Sequence, residues 1–125
     1  MLVNADFHIH SYFSMASSKD MLIKNIAPKS KLKGLQLLGT GDAFHPGWLD
    51  IIEESTTYVG DGIYSFDDMN FVLTTEVEGK HKIHHVIIIP NIEIARELSE
   101  KLPSNNKNND GRPKLNWVGQ SFWNL

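Results

Sequence analysis

Residues 83–89 (Ile-His-His-Val-Ile-Ile-Ile) constrain this chain more than any other stretch. Their β-branched side chains lose rotamer freedom in a helix and pack well on a pleated surface, so the segment is predicted as a strand. The apolar run is nearly continuous rather than alternating, which predicts burial on both faces. A strand of that kind needs a layer on each side and points to an α/β architecture. The neighbouring segments fit. A first strand is read over 2–10, a helix from near Leu22 behind a cap at Asp20, and a second strand over 35–39. A short helix over 46–54, a third strand over 70–77, the strand 83–89 and a helix capped by Asn91 and running to about Leu102 complete the alternation. Gly60 and Gly62 mark a turn, residues 79–81 a tight connection, and Pro28 is expected to kink the first helix because it lacks an amide donor.

At 125 residues the chain is one domain's worth of sequence, and 41% hydrophobic content is too apolar for a wholly disordered one. No run approaches the roughly 20 apolar residues of a membrane span, so no membrane partner is expected and a cytoplasmic location is. The absence of cysteine excludes disulfides, thiolate metal sites and a cysteine nucleophile. A net charge of −3 excludes nucleic-acid binding by bulk positive charge. Residues 103–113 (PSNNKNNDGRP) read as a polar, mobile loop. Residues 114–125 carry Trp117, Val118, Phe122, Trp123 and Leu125, and are expected to be a truncated element of the same domain or a contact with a second copy of the chain.

The chemistry concentrates in Asp6-Phe7-His8-Ile9-His10. On a strand, Asp6, His8 and His10 share one face, where two imidazoles can grip one metal ion and a carboxylate can orient a histidine from behind. An amphipathic strand merely facing solvent is the competing reading. Three further clusters favour the metal: Asp42 and His45 after the second strand, Glu76 and Glu78 on one face of the third, and His84 and His85 opening the fourth. All lie at or beside strand ends, where α/β proteins build their sites. Imidazole and carboxylate together suit a divalent ion, zinc first, with manganese or iron as alternatives. His84 and His85 are adjacent and point to opposite faces, so at most one enters such a site. Glu78 and His81 read as solvated, His45 as shaping its loop, and Asp42 has helix capping as an alternative role. No phosphate-binding loop, dinucleotide fingerprint or nucleophile elbow is present.

The run Asn4-Ala-Asp-Phe-His-Ile-His-Ser, followed by Ser18-Lys-Asp-Met, Lys33-Gly-Leu, Gly39-Thr-Gly-Asp, Thr74-Thr-Glu-Val-Glu, His84-His-Val and Asp110-Gly-Arg-Pro, resembles the endonuclease Q branch of the PHP (polymerase and histidinol phosphatase) superfamily. The matches run in order from residue 1 to about 116. The resemblance implies a distorted (βα)7 TIM-like barrel with a metal cluster at its strand ends. It implies hydrolysis of DNA phosphodiesters on the 5′ side of deaminated bases, such as uracil and hypoxanthine, or of abasic sites. Carried over by position, His8 and His10 bind one metal, Glu76 bridges to a second, His85 ligates that second ion and Asp42 serves a further one. The superfamily's later downstream histidine and Asp-x-His motifs have no counterpart, and a full barrel takes about 200–250 residues. The expectation is therefore the N-terminal half of a PHP domain: 1–102 as its first part, 103–113 as a loop, 114–125 as a truncated segment. Two other functions stay open beside the nuclease: a non-catalytic fragment or interaction module, and a phosphatase acting on a small phosphate ester.

Overall fold

A computed structural model of the chain describes residues 2–13 and 21–102. Asp20, the loop 103–113 and the apolar segment 114–125 lie outside those residues. The elements alternate as an α/β fold: β1 (Ala5–Asp6), α1 (Ile23–Leu32), β2 (Leu37–Gly39), α2 (Pro46–Ser55), β3 (Thr57–Gly60), β4 (Ile63–Phe66), β5 (Met69–Glu78), a 3-10 turn (Lys80–Lys82), β6 (His84–Ile89) and α3 (Ile92–Lys101).

The ten-residue β5 organises the sheet. Its first half pairs in parallel with β2 and antiparallel with β4, and its second half pairs antiparallel with β6. β1 lies parallel to β2 and β3 completes the other side, giving the order β1-β2-β5-β4-β3 with β6 branching from β5. The helices form because their apolar residues recur at helical spacing. α1 buries Ile23, Ile26, Ala27 and Ser30, and α3 buries Ile92, Ala95, Leu98 and Ser99. α1 runs on through Pro28, where the helix forgoes the hydrogen bond that an amide would have made. Asn91 caps α3, its Oδ1 accepting from the Ile94 N–H at 2.8 Å. Trp48, Leu49 and Ile52 of α2 meet Leu38, Phe71 and Leu73 of the sheet in one fully buried core.

Two expectations need correcting. The first strand is two residues long rather than nine, because β2 offers only three residues to pair with and the loop after it turns away. Residues 7–10 instead lie across that loop. The strand 83–89 exists as β6, but it is not covered on both faces: among the described residues Val86 and Ile88 remain 43% and 55% exposed. Among the described residues β6 pairs with β5 alone, and its alternating burial puts Ile87 and Ile89 on the core side and leaves Val86 and Ile88 on the open one. The hairpin β3–β4 was not expected; only its turn at Gly60–Gly62 was.

Candidate metal centre

The loop after β2 is the platform of the site. Thr40 N–H donates to the Val72 carbonyl, Gly41 N–H to Thr74 Oγ1, and Ala43 N–H to the Thr74 carbonyl, while Thr74 N–H donates to Thr40 Oγ1. Buried Thr40 and Thr74 thus fasten the loop to β5 where strand pairing has ended. Gly41 adopts φ +65°, and a Cβ there would sit 2.2 Å from the Ile9 carbonyl oxygen. A Cβ on Gly39 would meet Thr74 Oγ1 at 2.4 Å and the Phe7 carbonyl oxygen at 2.8 Å. The glycines therefore let the histidine-bearing stretch lie directly on the loop.

On that platform His8 Nε2 and His10 Nε2 approach the same oxygen, Glu76 Oε2, at 2.9 and 3.1 Å. One donor atom from each of His8, His10 and Glu76 falls within 4.8 Å of the other two. Glu76 comes from β5 and its side chain is 5% exposed, whereas His8 is 60% exposed and His10 31%. A buried carboxylate is costly unless positive charge or donors face it, and imidazoles converging on it supply that environment. The donor chemistry, two imidazole nitrogens and one carboxylate with an open side, fits a divalent ion of the zinc type.

The remaining candidates take different places. Asp42 is buried; its Oδ2 accepts from the Ser11 N–H at 2.7 Å and the Ser11 hydroxyl at 2.5 Å, and its Oδ1 lies 3.7 Å from His10 Nδ1. It does not cap α2. His45 does, its Nδ1 accepting from Gly47 and Trp48 N–H while its ring stacks on Phe13 at 4.2 Å. Burial lowers the His45 pKa below its usual 6.5, with the charge of Asp42 opposing that shift, in keeping with a neutral acceptor. Asp6 holds the His8 backbone N–H at 3.0 Å rather than a histidine ring.

His85, which the resemblance assigns to a second ion, does not join the cluster. The β5–β6 register pairs it with buried Val77, on the face opposite Glu76 and Glu78. Its neighbour His84 is the one brought in: His84 Nδ1 lies 3.0 Å from Glu76 Oε1 and its Nε2 3.2 Å from Glu78 Oε1. Glu78 is accordingly a partner of His84 and not simply solvated. His81 is exposed in the turn, as expected.

No family model matches the chain. It is 42% identical over 121 residues to the uncharacterized protein MJ0043 of Methanocaldococcus jannaschii, covering 95% of this chain and 14% of that protein. Among solved structures it is similar to the lesion-specific endonuclease PfuEndoQ of Pyrococcus furiosus, with a TM-score of 0.85 and 42% identity. It is equally similar to endonuclease Q in complex with a 27-mer duplex that carries an abasic lesion at the active site. Each match covers 94% of this chain and 30% of the solved one. The chain thus spans under a third of the length of these relatives. Its structural neighbours are endonuclease Q, in agreement with the resemblance read from the sequence. No helix among the described residues is long and apolar enough to cross a membrane.

Proposed function

We propose that this chain supplies the divalent-metal part of a DNA phosphodiesterase of the endonuclease Q type, within the N-terminal half of a PHP barrel. The observation that carries the reading is the convergence of His8, His10 and Glu76 on one point in a chain so similar to endonuclease Q. His8 Nε2, His10 Nε2 and Glu76 would hold the ion, zinc by preference over manganese or iron, and His84 stands at the second oxygen of Glu76. When bound, such an ion neutralises charge on a phosphate oxygen and lowers the pKa of a coordinated water towards 7. The chain's own contribution is orientation. The threonine-laced loop fixes the backbone beneath both histidines, and β5 fixes the carboxylate that faces them. Among the described residues the His8 side of the centre faces solvent, as a bulky substrate would require. The substrate class rests on the resemblance to endonuclease Q, one structure of which holds a duplex with an abasic lesion at its active site: DNA carrying deaminated bases or abasic sites.

The test measures metal content of the purified chain by elemental analysis and nicking of end-labelled duplexes. The duplexes carry a single uracil, hypoxanthine or abasic site, beside an undamaged control. Metal-dependent cleavage restricted to the lesion strand is expected, and its loss in His8→Ala. Cleavage of the undamaged duplex at the same rate, or cleavage indifferent to chelator, would refute the reading. A chain that carries metal and cuts none of the duplexes would favour a non-catalytic module.

A further inference from the structure

We infer that the turn joining β5 to β6, Lys80–Lys82, is a contact for the phosphates of the DNA strand that runs past the metal centre. The inference rests on the function proposed above and names the part of the chain that holds the strand beside the ion. At a net charge of −3 the chain cannot hold a polyanion by bulk charge, so a phosphate contact has to be local. Lys80, His81 and Lys82 are consecutive and all exposed. None of these three side chains makes an ion pair among the described residues, whereas Lys31 is paired with Asp67, and Arg96 with Asp50 and Glu53.

Topology puts this turn beside the centre. Glu78 and His84 are the last register partners of the β5–β6 ladder before it, and His84 reaches Glu78 Oε1 at 3.2 Å and Glu76 Oε1 at 3.0 Å. Lys80 follows Glu76 by four residues, which at a strand rise of about 3.4 Å keeps it within about 14 Å of that carboxylate. A DNA strand advances about 3.4 Å per nucleotide along its axis, so a strand with one phosphate at the ion passes the turn within about four nucleotides. The backbone of the turn is also held in an unusual form. Gly79 N–H donates to the Ile83 carbonyl at 2.7 Å and closes the turn, while His81 and Lys82 sit at φ 61° and 59°. Glycine takes that left-handed conformation at less cost, but the chain has a histidine and a lysine there. Strained residues of this kind cluster at active sites and ligand clamps. Two ammonium groups and a ring N–H carried on one closed turn are donors suited to phosphate oxygens.

The test compares the double variant Lys80→Gln/Lys82→Gln with Lys29→Gln/Lys33→Gln. The second pair removes the same charge at the other end of the parallel strands. Lys33 precedes Gly34, whose carbonyl accepts from Asn4 Nδ2 just ahead of β1, whereas the histidines follow β1. Affinity for a duplex with one abasic site is measured by fluorescence anisotropy between about 50 and 200 mM salt, beside zinc content and the kcat and KM of lesion cleavage. Each lost phosphate contact lowers the slope of log affinity against log salt by about 0.9, so the turn variant should lose about 1.8. Over that range wild-type affinity should therefore fall about 12-fold further than that of the turn variant. A raised KM with kcat and zinc content unchanged is expected beside it, and a wild-type slope in the α1 variant. An unchanged slope in the turn variant overturns the inference. So does an equal loss in the α1 variant, which would make the effect one of overall charge. Tighter zinc binding at an unchanged slope would show that the lysines only offset Glu76 and Glu78, and overturns it as well. If the wild-type chain carries no ion or cuts no duplex, the proposed function fails, while the salt slopes still decide whether the turn meets phosphates.

Discussion

Replacing Gly41 with alanine separates the cost of an unusual backbone conformation from the cost of disturbing the histidines. Gly34 and Gly41 both have positive φ, +78° and +65°, and each Ala substitution pays roughly 1–2 kcal/mol for the left-handed region. At Gly34, just past α1, a Cβ meets nothing within 4 Å. At Gly41 it would lie 2.2 Å from the Ile9 carbonyl oxygen and 2.9 Å from its carbon. The backbone between His8 and His10 must therefore retreat by about 1 Å to reach ordinary contact, and overpacking of this kind adds about 1–3 kcal/mol. A site tolerates about 0.5 Å of such movement, and a 1 Å misplacement of reacting groups can cost about 100-fold. Gly34→Ala should lower the melting temperature by roughly 4–16 °C with zinc affinity unchanged, taking about 4–8 °C per kcal/mol. Gly41→Ala should lower it clearly further and weaken zinc binding by about 100-fold, although residue 41 is not a ligand. The assays are thermal unfolding of metal-free protein and chelator competition for zinc. Equal melting temperatures for the two variants, with zinc affinity intact in Gly41→Ala, would refute the argument that the glycine exists to seat the histidines.

Other outcomes follow from the same geometry. His8→Ala and Glu76→Gln should each strip most of the bound metal, measured by elemental analysis, while His81→Ala, exposed in its turn, should keep it. The lowered pKa of His45 means that folding favours its neutral form. Its stabilising contribution is complete above the unfolded value of 6.5 and is lost as pH falls through the lower folded value. His45→Asn, which keeps a capping acceptor, should flatten that part of the dependence of melting temperature on pH; a slope equal to wild type would show that another group causes it. Arg96 bridges Asp50 and Glu53 between α3 and α2 at 2.8 and 2.9 Å, but both carboxylates are exposed and the guanidinium only half-buried, so Arg96→Ala should cost no more than about 1 kcal/mol in denaturant unfolding.

Local signals carried the elements whose partners are close in sequence or whose pattern is strong. The helices over 46–54 and from Asn91 were foreseen within a residue or two, since Pro46 at a first turn and Asn91 as a cap are chemical start signals. The hairpin β3–β4 is not legible in the sequence because Thr57, Tyr58 and Val59 are all exposed, so no apolar alternation marks β3. The alternation of Asp6, His8 and His10 predicts a strand over 2–10. It is real as a pattern of facing, but residues 7–10 owe it to lying on the Gly39–Gly41 loop, a long-range contact that no local window contains. His8, His10 and Glu76 were identified together because two-residue spacing shows which side chains share a face, even where no ladder is formed.

The choice between His84 and His85 was decidable from parity. An antiparallel hairpin pairs residues whose numbers sum to a constant, and a connection with an odd number of residues makes that sum even. Strands read at 70–77 and 83–89 leave five residues between them, so even positions face even positions: Glu76 and Glu78 share a face with His84, and Val77 with His85. The observed register, Glu78 with His84 and Val77 with His85, is shifted along the ladder from that reading but keeps its parity. A one-residue slip would exchange the two histidines and turn Ile87 and Ile89, the latter fully buried, away from the core face they share with Val77. The core therefore selects which imidazole reaches Glu76. Deleting one residue from the turn Lys80–Lys82 should either destabilise the hairpin, seen as a lower melting temperature, or exchange the histidines, seen as His85→Ala becoming the variant that disturbs zinc binding. A deletion that keeps both stability and the order of effects at 84 and 85 would show that the register is not what assigns them.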